Sequence, residues 1–152
     1  VGIYTNAHYS TPEIFISSAG NVNLSGSSGS TAIGTVSAPT STLQVAGSFA
    51  TAYVAKTGTY TATASDHTID CTSGTFTVTL PTAASITGRQ YTIVNSGSGT
   101  ITIGTTSSQT FVNINAAPTT LTLGAVGAGA IVSYTVVSNG ANWIVVSKVK
   151  NE

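Results

Sequence analysis

Charge is what this chain has least of. Its 152 residues include four Lys or Arg and four Asp or Glu, so charged side chains make up 5%, where a soluble domain averages about 25%. A nucleic-acid interface or a membrane-surface helix needs a basic field, and a formal net charge of zero supplies none. No apolar run approaches the ~20 residues of a membrane span. Neither nucleic acid nor membrane insertion is therefore expected. Methionine is absent and cysteine occurs once, as Cys71, which excludes an intrachain disulfide and a thiolate zinc site within one chain. Helical periodicity is missing as well, because Gly or a β-branched residue interrupts nearly every window.

What is present is period two. In GTFTVTLP, Phe76, Val78 and Leu80 fall on one face and Thr75, Thr77 and Thr79 on the other, the pattern of a half-buried strand. The same reading predicts strands over 60–64, 68–71, 75–80, 90–95, 100–103, 110–114, 120–123, 130–137 and 142–148. Turn-forming segments rich in Gly, Asn and Ser separate them. SNGAN joins the two longest runs, so 130–148 reads as a β-hairpin. Pro81 closes the strand before it, and TAASITG is expected to hold one helical turn before Arg89.

The first fifty residues differ. Apolar residues return at Ile14, Ile16, Val22, Leu24, Ile33, Val36, Leu43 and Val45 between Gly, Ser and Pro, in runs too short to cover a core. A Ser/Gly linker has no reason to carry them. A shaft in which short strands from several chains complete one another does. With net charge near zero nothing repels one copy from another, and closure around an axis removes sheet edges from water without charges to guard them. The expectation is an all-β chain: a thin N-terminal trimeric shaft over 1–52 and a β-sandwich or β-prism-like distal domain over 53–152.

Residues 20–48 resemble a segment of bacteriophage tail and head fibres, and of some bacterial surface proteins, that reads roughly G-N-V-G-I-G-T, a short spacer with Pro, then L-x-V-x-G. Gly20, Asn21 and Val22 fit its start, Ile33, Gly34 and Thr35 its middle, and Leu43, Val45 and Gly47 its end, with NLSGSSGSTA inserted between the halves. Residues 60–148 are similar to a β-rich module at the distal ends of phage fibres. The matching residues are Asp66, Ile69, Leu80, Pro81, Ala83, Gly88, Tyr91, Ile93, Asn95, Gly97, Gly140, Asn142 and Trp143. The resemblance implies a homotrimeric fibre or spike on a virion surface, joined to other virion proteins at its N-terminal end and attaching to a host surface glycan or protein receptor. It implies no hydrolysis. A bacterial cell-surface or secreted β-rich binding module is the alternative, and a glycan hydrolase the remaining check.

Few residues offer chemistry. Glycoside hydrolysis needs two carboxylates about 5 to 9.5 Å apart, but Asp66 and Asp70, four residues apart on an extended strand, are separated by about 13 Å. Asp66 is expected to cap a turn and Asp70 to satisfy backbone donors at the strand's other end. Ser65, Asp66 and His67 have the residue types of a hydrolase triad, yet Asp66 and His67 would point to opposite faces of a strand. His8 would form a three-fold cluster around an axial ion in a trimer, or simply face solvent; no metal or other cofactor is expected. GSSGS and GAVGAGA lack the Lys and the helix of a phosphate loop. Cys71, alternating with Ile69, reads as a small buried apolar residue. For sugar binding, Asn139, Asn142 and Trp143 have the right composition, an aromatic face with amides beside it, whereas the alternation of Trp143 with Val145 suits a ring that plugs the end of a core.

Overall fold

The computed structural model describes residues 41–127 and 129–151, together with the backbone of residues 15–16, 22–23 and 31–33. It divides into two units, Val1–Ala50 and Thr51–Glu152. Among the described residues there is no helix, and the chain is all-β. The turn expected within TAASITG forms without becoming helical. His8, Glu13 and most of the 20–40 segment lie outside the described residues.

In the first unit, β1 (Phe15–Ile16) pairs antiparallel with β2 (Val22–Asn23). Strand β3 (Thr31–Ile33) pairs in parallel with β4 (Leu43–Val45), Ile33 opposite Val45. The second and third parts of the fibre-like segment, I-G-T and L-x-V-x-G, thus begin on neighbouring strands.

The second unit contains β5 (Tyr53–Lys56), β6 (Tyr60–Thr61), β7 (Thr68–Cys71), β8 (Phe76–Thr79), β9 (Gln90–Asn95), β10 (Ile101–Gly104), β11 (Phe111–Val112), β12 (Thr120–Leu123), β13 (Ile131–Ser138) and β14 (Trp143–Lys150). They form a six-stranded sheet, ordered β11-β14-β13-β9-β7-β5, and a four-stranded sheet, ordered β12-β10-β8-β6. From β5 to β13 consecutive strands alternate between the two sheets. Each of the first strands pairs in parallel with the next strand of its own sheet: β5 with β7, β7 with β9, β6 with β8 and β8 with β10. The chain therefore winds in coils, and the short turns that look like hairpin turns in the sequence carry it from one sheet to the other. Antiparallel β12 and the antiparallel hairpin β13–β14 close the winding.

Period two explains which side each strand buries. Ile69 and Cys71, Tyr91 and Ile93, Val136 and Trp143 from the larger sheet meet Phe76 and Val78, Ile101 and Ile103, Leu121 and Leu123 from the smaller one in a single apolar core. The face assignment for Phe76, Val78 and Leu80 holds, since all three are buried.

Coil stacking also dictates residue types at the turns. A Cβ on Gly97 would lie 2.7 Å from the Thr72 carbonyl oxygen of the turn beneath, and one on Gly99 would collide with Gly74. Beside them both polar atoms of the buried Asn95 side chain are engaged: its Nδ2 donates to Gly99 O at 2.7 Å and Gly124 O at 2.6 Å, while its Oδ1 accepts from Gly97 N at 3.1 Å. Leu80, Ala83, Tyr91 and Ile93 are buried. Many residues that carry the resemblance to the fibre module are thus demanded by core and turn packing.

Candidate binding surfaces

The hairpin turn holds Asn139, Asn142 and Trp143 close together but does not make an aromatic platform of them. Trp143 is 0% exposed. Its inward phase on β14 places the ring against Tyr91, 5.6 Å between centroids, so it has no face to offer a sugar. This corrects the expectation of a stacking site there. The amides serve the backbone: Asn139 Oδ1 accepts from the Asn142 and Ala141 N–H groups at 2.7 and 3.0 Å, and Asn142 Oδ1 accepts from Thr110 N at 2.9 Å. That last bond ties the turn to the segment entering β11.

The carboxylates are likewise engaged. Asp66 Oδ2 accepts from Thr63 N at 2.7 Å, Thr63 Oγ1 at 2.8 Å and the Tyr60 hydroxyl at 2.9 Å, as expected of a turn cap. Partial burial pushes its pKa up, but the Thr63 amide and hydroxyl and the Tyr60 hydroxyl outweigh this, and the carboxyl titrates below its ordinary value. Asp70 departs from expectation. Its partners are side-chain hydroxyls, Tyr53 at 2.8 Å and Ser96 at 2.6 Å, rather than backbone donors. The hydrogen bond to Asp70 in turn raises the Tyr53 pKa. His67 Nδ1 meets the Thr68 hydroxyl at 3.2 Å, and Asp66 is turned toward Thr63 and Tyr60, so the triad types do not assemble. Cys71 is buried, and desolvation pushes its thiol up to about 11. Among the described residues no group of three or more His, Cys, Asp or Glu could hold a metal ion.

The surface that the sequence reading passed over is the outer face of the four-stranded sheet. Register places Thr122, Thr102 and Thr77 side by side across β12, β10 and β8. A second row runs Thr120, Gly104, Thr79 and Thr61 across all four strands. Neighbours are about 4.8 Å apart across strands and about 6.8 Å apart along them. Recurrent T-x-T in TFTVT, TIT and TLT was the available signal; its meaning depends on pairing, which sequence order hides. Gly104 leaves a gap in the second row. A Cβ there would make only an ordinary 3.7 Å contact with Thr77 Cγ2, so the gap is not forced by crowding.

Comparison with protein-family models, curated proteins and solved structures returns no match.

Proposed function

We propose that this chain is a non-enzymatic structural and adhesive component of a viral fibre or spike. In this reading it is a homotrimer, with residues 1–52 as a shaft joined to other virion proteins and residues 53–152 as a sandwich-like or prism-like distal domain on the virion surface. The domain attaches the particle to a host surface glycan or receptor through the threonine rows of the four-stranded sheet.

Those rows are the observation that carries the reading. Six threonines, Thr61, Thr77, Thr79, Thr102, Thr120 and Thr122, form a flat field of hydroxyls and methyls on strands whose opposite sides are locked in the core. Such a field can bond sugar hydroxyls and contact C–H faces without a charged group, and it is preorganised by the sheet. Single contacts of this kind are weak, but three copies on one trimer raise the effective concentration. The engagement of Asp66 and Asp70 in turns and cross-coil bonds supports a scaffold role for both carboxylates.

The test is binding of the labelled protein to a panel of immobilised bacterial surface polysaccharides. We expect retention on a subset, abolished by Thr102→Arg with the fold intact by circular dichroism. Undiminished retention of that variant would remove the threonine field from the site, and release of reducing ends from a bound polysaccharide would overturn the non-enzymatic assignment.

A further inference from the structure

We infer that the outer face of the six-stranded sheet is the surface through which copies of this chain associate, three such faces turned toward a common axis. The inference rests on the homotrimer reading above and names the residues that would make the contact.

The pairing registers define this face. One row runs Ser147, Thr135, Thr92, Thr68 and Tyr53 across β14, β13, β9, β7 and β5, and a second runs Val149, Ser133, Val94, Asp70 and Ala55. Val137 and Ile144 extend it toward the hairpin turn. Of the large apolar side chains exposed in this unit, Tyr53 at 64% and Val149 at 54% sit in these two rows. At its centre the Thr92 and Thr135 hydroxyls are 3.1 Å apart, so side chains there are already ordered and lose little freedom on contact.

Size separates this face from the threonine field. Strands of two, eight, eight, six, four and four residues outline roughly 500 Å². Strands of four, four, four and two residues outline roughly 220 Å². A stable interface takes about 800 Å² per partner, of which the larger face supplies well over half and the smaller about a quarter.

Charge points to a second copy as the occupant. The rows contain one charged residue, Asp70, which already holds the Tyr53 and Ser96 hydroxyls. Lys148 and Lys150 pair with Tyr134 and Ile131, which pack on the core side of the sheet, so neither lysine belongs to this face. An identical face therefore meets no charge repulsion here, and copies related by rotation can close head-to-tail into a ring. Direct strand addition along β14 is disfavoured, because the pairings Thr135 with Ser147 and Val136 with Val145 leave Val146 as a bulge. Bulges and edge lysines block backbone pairing, which leaves face contact through side chains.

Light scattering on the full chain and two arginine variants tests this. The unaltered protein should give three times the 15.2 kDa chain mass. Thr135→Arg, at the centre of the face, should give one chain mass with an unchanged β spectrum, and Thr122→Arg, on the other sheet, should remain trimeric. Single chains of the unaltered protein at all concentrations would overturn the trimer reading itself. A trimer that survives Thr135→Arg would overturn only the face. Should Thr135→Arg not fold, the near-isosteric Thr135→Cys keeps the question open to decision, since Cys71 is buried. A short bismaleimide should join chains of Thr135→Cys and not of Thr122→Cys, and the reverse pattern would overturn the assignment.

Discussion

Tyr91 and Trp143 meet in the core with their ring centroids 5.6 Å apart and their planes tilted by 56°. Strand β13 lies between the strands that bear them, so the two rings reach across it, where buried Val136 is paired with Tyr91 and buried Ser138 with Trp143. The contact joins the winding part of the unit to the hairpin that closes it. The Tyr91 hydroxyl donates to Thr63 O at 2.8 Å, whereas Trp143 Nε1 is buried without a partner.

Trp143→Ala should therefore destabilise the domain by about 3–5 kcal/mol, as expected for emptying a large aromatic site. Trp143→Phe should cost distinctly less, because it also removes an unsatisfied N–H. Urea unfolding of both variants checks the order. Emission from this one tryptophan should be blue-shifted and resist acrylamide until the protein unfolds.

Val78 is 0% exposed, and Thr77 beside it faces outward and is half-buried. Val78→Asp places a carboxylate in the apolar layer and should cost several kcal/mol, enough to unfold the domain. Thr77→Asp should leave a folded protein with a lower melting temperature at most. Melting curves of the pair decide whether the outer face tolerates charge.

Gly104 interrupts a row of threonines in a strand, where glycine is less stable than alanine by roughly 0.5–1 kcal/mol. With only an ordinary contact awaiting a Cβ there, Gly104→Ala should raise the unfolding free energy by about that amount. If the gap receives part of a ligand, the same variant should lose polysaccharide retention while melting higher. Parallel melting and retention assays separate the two effects.

Acid and alkaline stability should have different owners. Asp66 titrates below its ordinary value in the folded state, so its contribution is present above the unfolded carboxyl pKa and is lost as pH falls through the folded one. Asp66→Asn should flatten the acid limb. Cys71 is raised from 9.0 to about 11 by burial. Its contribution is full below pH 9 and is lost as pH rises through about 11, with the raised tyrosines Tyr60, Tyr91 and Tyr134 following above 10. Cys71→Ala should remove the earliest part of the alkaline loss, measured as unfolding free energy against pH.

The alternation of Thr with Phe76 and Val78, or of Ile69 with Cys71, made strands legible because one face of each is buried. The bounds of β7, β9 and β12 agree with the period-two reading. Strand β5 escaped it: Tyr53 and Ala55 are exposed, and Lys56 ends the run. Pairing was hidden for a different reason. Tyr53 lies beside Thr68 and Thr68 beside Thr92, partners set by the winding and not by the turns between successive strands. At the expected site, composition allowed either an aromatic platform or a ring plugging the core, and Trp143 takes the second place. Its phase with Val145 fixes the inward side, and the nearby amides serve the turn.

Strand β5 is where the chain enters the second unit, and it is an edge strand held by β7 alone along four residue pairs. A pull on the N-terminal side thus loads this edge seam first. Peeling Tyr53–Lys56 would break the Tyr53 bond to Asp70, yet leave β7, β9, β13 and β14 paired to one another. Under tension the unit should therefore yield this one strand, as a mechanical fuse does, while its central strands stay assembled.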